Sequence, residues 1–238
     1  MAFTQTVDQA IAASYLLATG KAVAPTSGTA KYTKLLALLN MYTQVWAGET
    51  GTDWKSLYSL FTVSGTVTAT DTFAIPATVG KVSRSEGDFV RINHTDGINQ
   101  STYTIVPIER LYNDGPTISN PGAGTQNSTG TCAIAGSNII FPTAFKTTDA
   151  QYGGTIKIPG YSIPATYTTG TDTIVVDDPF WLNFRVAAEY IRNDVTRVQL
   201  YGSLIDQAND AMVGMKEDNE SQSEKTYSGG WTPLGNTF

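Results

Sequence analysis

The chain has 238 residues, 41% apolar and 15% charged, with a formal net charge of −6. That length can bury a substantial core, in one large domain or two small ones, and the acid excess argues against tight phosphate binding, whose affinity comes from Lys and Arg displacing counterions. The single cysteine, Cys132, excludes an intrachain disulfide framework and suits a reducing cytosol. Thr4 or Thr6 is placed to cap a first helix carrying Val7, Ile11, Tyr15 and Leu16, which Gly20 ends. Residues 22–28, with Pro25 among them, read as a linker. A second helix from Thr29 to Ala47 sets Leu35, Leu38, Leu39, Tyr42, Val45 and Trp46 on one stripe, and Gly48 stops it.

Short apolar and alternating runs then begin. They cover 57–63, 66–69, 72–75, 79–83, 89–93 and 102–106, with Asp96-Gly97 as a hairpin-type turn pair. Asn113-Asp114-Gly115-Pro116 closes this half, and 119–130 is a polar loop. Strands resume at 131–135, 138–141, 155–158 and 173–176. Many short strands between Gly and Pro turns predict an antiparallel sandwich or barrel-like sheet. Its Thr-rich, weakly charged strands suit surfaces that meet other protein subunits, although Thr is also simply a good strand former.

Asp178-Pro179 opens a third helix, Asp as cap and Pro at the first helical position. Trp181, Phe184, Ala188, Ile191, Val195 and Val198 make its apolar stripe, and a break falls between Asn193 and Gly202. A fourth helix carries Leu204, Ala208, Ala211 and Met215. The predicted class is α+β: residues 1–56 and 178–225 form a helical bundle, 57–177 an inserted antiparallel β domain, and 226–238 an extended tail. The bundle core is assigned to Leu35, Leu39, Trp46, Trp181, Phe184, Ile191, Leu204 and Met215. The tail holds Gly229, Gly230 and Pro233, which rule out a helix, yet it carries Tyr227, Trp231, Leu234 and Phe238 as partner anchors.

Catalytic chemistry has few candidates. His94 is the sole histidine and reads as a polar turn residue; Cys132 reads as a small buried hydrophobe. One His and one Cys make no zinc cluster, and neither a Walker A loop nor a dinucleotide fingerprint is present. Gly122-Ala-Gly124 is a weak signal in a low-complexity loop. No G-x-S-x-G elbow accompanies His94. Asp177-Asp178 is a carboxylate pair that capping explains, and nothing selects Glu86, Asp88 or Glu109 as opposed acids across a cleft. No enzymatic activity, metal or cofactor is expected. Met1 to Asp8 lack the basic start of a signal peptide, and the apolar runs are too short to span a bilayer, so a soluble chain made in a cytosol is expected.

Leu35-Leu-Ala-Leu-Leu39-Asn40-Met-Tyr-Thr-Gln44-Val-Trp46, followed by Glu49 and Asp53-Trp54, resembles the N-terminal helix and turn of tailed-phage head-to-tail adaptor (connector) proteins. Ala187-Ala-Glu-Tyr-Ile-Arg192-Asn193-Asp194, then Ala208-Asn209-Asp-Ala-Met212-Val-Gly-Met215-Lys216, resembles that family's closing helices. The order helices, β insert, helices and tail extends the likeness over nearly the whole chain.

The resemblance implies a structural virion protein, made in the bacterial cytoplasm. Copies would form a ring, a dodecamer, beneath the portal of a podovirus-like particle. The ring would link the portal to tail nozzle or tail fibre proteins, with the C-terminal tail gripping the portal. Double-stranded DNA would pass through the lumen without sequence-specific binding, past an acidic wall that does not hold it. Two alternatives stay open: another virion protein (neck, tail-nozzle or capsid-decorating), and a carbohydrate-binding or hydrolytic β domain.

Overall fold

A computed structural model of the chain describes residues 4–85, 87–113 and 129–227. The class is α+β, with helices and one large, curled, mixed sheet. Two compact units emerge: residues 1–56 with 164–238, and residues 57–163.

The helical unit holds α1 (Val7–Thr19), α2 (Ala30–Ala47), α4 (Pro179–Ile191) and α5 (Val198–Tyr227). Thr6 caps α1 in a reciprocal capping box with Gln9, and Gly20 ends it in the left-handed conformation (φ 71°) that glycine adopts without a Cβ penalty. Thr29 caps α2, and Asp178 caps α4 by accepting from the Phe180 N–H at 2.8 Å, with Pro179 in the first turn. α4 packs against α1, α2 and α5, and α1 against α2. Leu35, Leu39, Trp46, Trp181, Ile191, Leu204 and Met215 are all buried, whereas Phe184 is only half-buried at the edge of the α4–α5 contact.

The packing departs from the sequence reading at particular residues. Leu16 and Val45 lie on exposed sides of their helices. The apolar stripe of α4 stops at Ile191, because Asp194 captures the Thr196 N–H and starts a 3-10 turn over Val195–Arg197. Helical phase is lost there, and Val195 (85% exposed) and Val198 (65%) face solvent. Residues 173–176 make no strand. Only Thr173 forms an isolated bridge, to Thr6. Residues 164–177 pack with the helices, and their carbonyls serve the start of α1: Val7 N–H donates to Asp172 O and Asp8 N–H to Gly170 O, both at 2.9 Å. These amides lack intrahelical partners in any helix. The last helix also extends to Tyr227, past the expected start of the tail.

The second unit is an eight-stranded sheet: β1 (Tyr58–Thr66), β2 (Thr72–Ala74), β3 (Val79–Val82), β4 (Phe89–Asn93), β5 (Gln100–Val106), β6 (Thr129–Ala135), β7 (Asn138–Ile140) and β8 (Thr155–Ser162). Strand order is β1-β8-β4-β5-β6-β7-β2, with β3 also pairing β8. Six inter-strand steps of about 4.8 Å would put β1 and β2 roughly 29 Å apart in a flat sheet. Thr66 and Thr72, at the facing ends of β1 and β2, are separated by a chain that reaches at most about 21 Å. The sheet must therefore curl. Residues 67–69, expected as a strand, are this connection, tied to the loop before β8 by Val67 N–H to Gly154 O at 2.9 Å. A Cβ on Gly154 would sit 2.4 Å from the Asn93 carbonyl oxygen, so only glycine fits there.

Inside the curl lie Val63, Val67, Val90, Ile92, Cys132, Ile139, Ile156 and Ile158, with a ring cluster in which Phe141 lies 4.8 Å from Tyr103 and 5.0 Å from Phe145. The pairings are antiparallel except β5–β6, which run parallel. That exception comes with a helix absent from the sequence reading, α3 (Ile108–Asn113), whose Ile108 and Leu111 cover Val106, Ala133 and Ile140 on the outer side. A parallel neighbour requires such a crossover.

Ile191 is 4% exposed in the α4–α5 core. Ile191→Asp is expected to cost ~3–5 kcal/mol by placing an unpaired carboxylate there. Urea unfolding would show it as a lowered midpoint, and an unchanged midpoint would contradict this packing.

Candidate interaction surfaces

The residues that carry the adaptor resemblance meet in space. Asn40 clasps the backbone of Tyr167, accepting its N–H at 2.7 Å and donating to its carbonyl at 3.1 Å. Tyr42 donates to Glu189 at 3.1 Å, and the Arg185 guanidinium lies 5.0 Å over the Tyr42 ring. Lys34 lies 4.6 Å above the Tyr190 ring, and Glu189 pairs with Arg192 at 3.1 Å. Trp46 and Trp54 stack at 5.1 Å, and the Trp54 indole N–H donates to the Trp46 carbonyl at 2.7 Å. From the far end of the chain, Lys216 reaches Glu49 at 2.7 Å, while Asn219 donates to Asp53 O at 3.0 Å and accepts from Lys55 N–H at 3.1 Å. These polar groups close the turn after α2 onto α5.

The chemistry candidates take structural places. His94 is a polar turn residue, its carbonyl accepting from the Gly97 N–H at 3.2 Å, but it is buried (7% exposed), and its Nε2 lies 2.8 Å from Ser101 Oγ, which also receives the Gln151 amide at 3.0 Å. Asp96 is spent on its own turn, where the Asn99 and Ile98 backbone N–H groups and the Asn99 side chain hold its carboxyl down at about 2. Burial pushes the Cys132 thiol up to about 12, so the nucleophilic thiolate is suppressed. Asp178 is a cap. Among the described residues no group of three or more His, Cys, Asp or Glu side chains is placed to hold a metal, and no helix is long and apolar enough to cross a membrane. A shallow, open groove in the helical unit is lined by Tyr15, Val23, Pro25, Thr29 and Lys31, with no carboxylate, His or Cys among its lining residues.

Exposed apolar residues stand on both units. On the helical unit, Met41 and Val45 sit one turn apart on α2, and Val195, Val198 and Leu200 form an apolar corner. That corner is braced by the Asp194–Arg197 ion pair at 3.2 Å and by Arg197 donating to the Ala18 carbonyl. On the sheet, Tyr58 (39% exposed) and Leu60 (43%) stand on β1, with Tyr161 edge-on to Tyr58 at 5.6 Å. Asp88 accepts from Tyr58 at 2.6 Å and from Ser83 Oγ. The sequence reading missed this sheet surface, since only strand register brings Tyr58, Tyr161, Lys81 and Arg91 together. Of the earlier candidates, Glu86, Gly122, Gly124, Trp231, Leu234 and Phe238 lie outside the described residues, as does the Tyr227 side chain.

A scan against protein-family models finds no match to this chain, and a search of curated proteins finds no matching relative.

Burial first, and then the Asp88 carboxylate that its hydroxyl faces, push the Tyr58 phenol up to about 12. A tyrosine in the unfolded chain loses its proton near pH 10, before the folded phenol does, so this contribution is full below about pH 10 and lost as pH rises toward 12. Tyr58→Phe is expected to shallow the alkaline decline in stability over that window. Urea midpoints measured from pH 9 upward check it, and parallel declines in both proteins would refute it.

Proposed function

We propose that the chain is a structural virion subunit, a head-to-tail adaptor of a tailed phage. Copies form a ring, a dodecamer, between the portal and the tail nozzle or fibre proteins, with double-stranded DNA passing through the lumen. The supporting observation is the meeting of the two resemblance segments. Glu49 and Asp53-Trp54 from one and Lys216 from the other close on one turn, through the Lys216–Glu49 ion pair and the Asn219 bridge to Asp53 and Lys55. Side-chain bonds that bridge such distant segments specify one arrangement of the helices rather than adding much stability, since exposed ion pairs contribute little. Exposed apolar residues at Val195, Val198 and Leu200, on a corner stiffened by Asp194, suit contact with other subunits. The acidic net charge suits a wall that DNA slides past.

In this reading Tyr227, Trp231, Leu234 and Phe238 clasp the portal. Removing residues 228–238, which leaves α5 its full length, is expected to keep the circular dichroism spectrum and abolish co-sedimentation with the portal. A truncated protein that joins the portal normally sinks the clasp.

The role requires no chemistry from His94 or Cys132. Particles assembled with His94→Ala and Cys132→Ala together are expected to retain packaged DNA and infectivity. Normally assembled but non-infectious particles would reopen the enzyme reading.

A further inference from the structure

The open part of the sheet's outer face is built by β1, β3, β4, β5 and β8, since α3 covers the far end. Register fixes what it displays. Tyr58 and Lys81 both pair with Tyr161, and Thr62 and Arg91 both pair with Lys157. Directly paired residues share a face, and Lys157 and Tyr161, four apart on β8, share it too. Lys81, Arg91 and Lys157 therefore lie together; none of these five strands contains Asp or Glu, and Asp88, just before β4 and bonded to Tyr58, sets one carboxylate beside the three cations. In a chain of net charge −6 this is a local reversal of sign. The Arg91 Nε is also shielded from solvent and has no hydrogen-bond partner among the described residues. A desolvated donor of this kind gains when an acceptor arrives.

The complement stands on α5. Its packed stripe is Leu204, Ala208 and Met215. Close to the opposite side run Asp206, Asp210, Val213, Glu217 and Glu220, spaced 4-3-4-3 and all exposed. None of the four acids has an ion-pair partner among the described residues, and like charges a turn apart repel one another. Asp210 to Glu217 spans about 10 Å of helix, against roughly 14 Å between the Lys157 and Tyr161 rows of the face.

We infer that the acidic stripe of α5 in one copy docks on the cationic sheet face of a second copy, carboxylates against Arg91, Lys157 and Lys81, with Val213 meeting Leu60. The two patches differ, so the contact is head-to-tail and closes into a ring or runs on as a filament. It rests on the ring reading above for closure only; the portal plays no part in it.

The test uses the full chain and measures self-association by sedimentation velocity at low and high salt. Wild type is expected to associate at low salt and dissociate as salt screens the charges. Asp206→Lys, Asp210→Lys, Glu217→Lys and Glu220→Lys together leave both patches basic, and Arg91→Glu with Lys157→Glu leaves both acidic. Each variant alone is expected to lose association by at least about tenfold, and an equimolar mixture of the two to regain it by alternation. Regain in the mixture also shows that both variants are folded. The neutral pairs Asp210→Asn with Glu217→Gln, and Arg91→Gln with Lys157→Gln, are expected to weaken association in the same sense and serve if a reversed variant misfolds. A wild type that stays monomeric overturns the contact, as does a folded variant that associates like wild type or a folded pair that fails to reassemble. Rings that form regardless of these reversals remove this contact and leave the adaptor reading in place; portal binding judges that reading separately.

Discussion

The helical unit depends on α4. Its buried residues, Trp181, Leu182, Val186, Ala187, Ala188 and Ile191, are spread over much of its circumference, and it touches α1, α2 and α5 together. Small side chains at Ala187 and Ala188 let α1, through Ala18, and α5, through Leu204, approach the same stretch of helix. Short helices are marginal alone, and most of their stability comes from packing. Without α4, α5 would keep few partners in its unit, chiefly the turn around Glu49 and Asp53.

That dependence orders the chain. α4 arrives after the whole sheet, so the contacts that complete the helical unit are long-range. Such contacts form against a loop-closure cost that grows slowly with the intervening length. The cost is moderated if residues 57–163 fold as a compact unit, because the effective loop then shrinks to the distance between its ends. Tyr58 and Tyr161 sit directly opposite one another on β1 and β8, so those ends are adjacent. A large β segment can thus interrupt a helical unit without separating its halves.

The polar residues sort by what they hold. Asn40, Tyr42, Glu49, Asp178 and Asn219 each satisfy a backbone or side-chain group in the helical unit. His94, Ser101 and Gln151 do the same inside the sheet. Buried polar groups are costly unless bonded, so these networks specify an arrangement as much as they strengthen it. Among the surface charges, the outer side of α5 carries Asp206, Asp210, Glu217 and Glu220, and the outer side of the sheet Lys81, Arg91 and Lys157.

The positions of α1, α2, α4 and α5 were legible in the sequence because their signals are local, whereas the short α3 was not. Thr6, Gly20, Thr29 and Asp178-Pro179 act within a turn of where they stand, and the spacing of Leu35, Leu39 and Trp46 or of Leu204, Ala208 and Met215 sets a face without reference to other segments. Most strands were legible for the same reason. The parallel β5–β6 pairing, the docking of residues 164–177 on α1, the exposure of Val195 and Val198 and the burial of His94 were not. Each depends on groups far away in sequence or on a turn that resets helical phase. The cationic sheet face was hidden more completely, since Lys81, Arg91 and Lys157 stand on three different strands. Alternation tells which residues of a strand share a side, but only the register of one strand against the next decides which charges become neighbours.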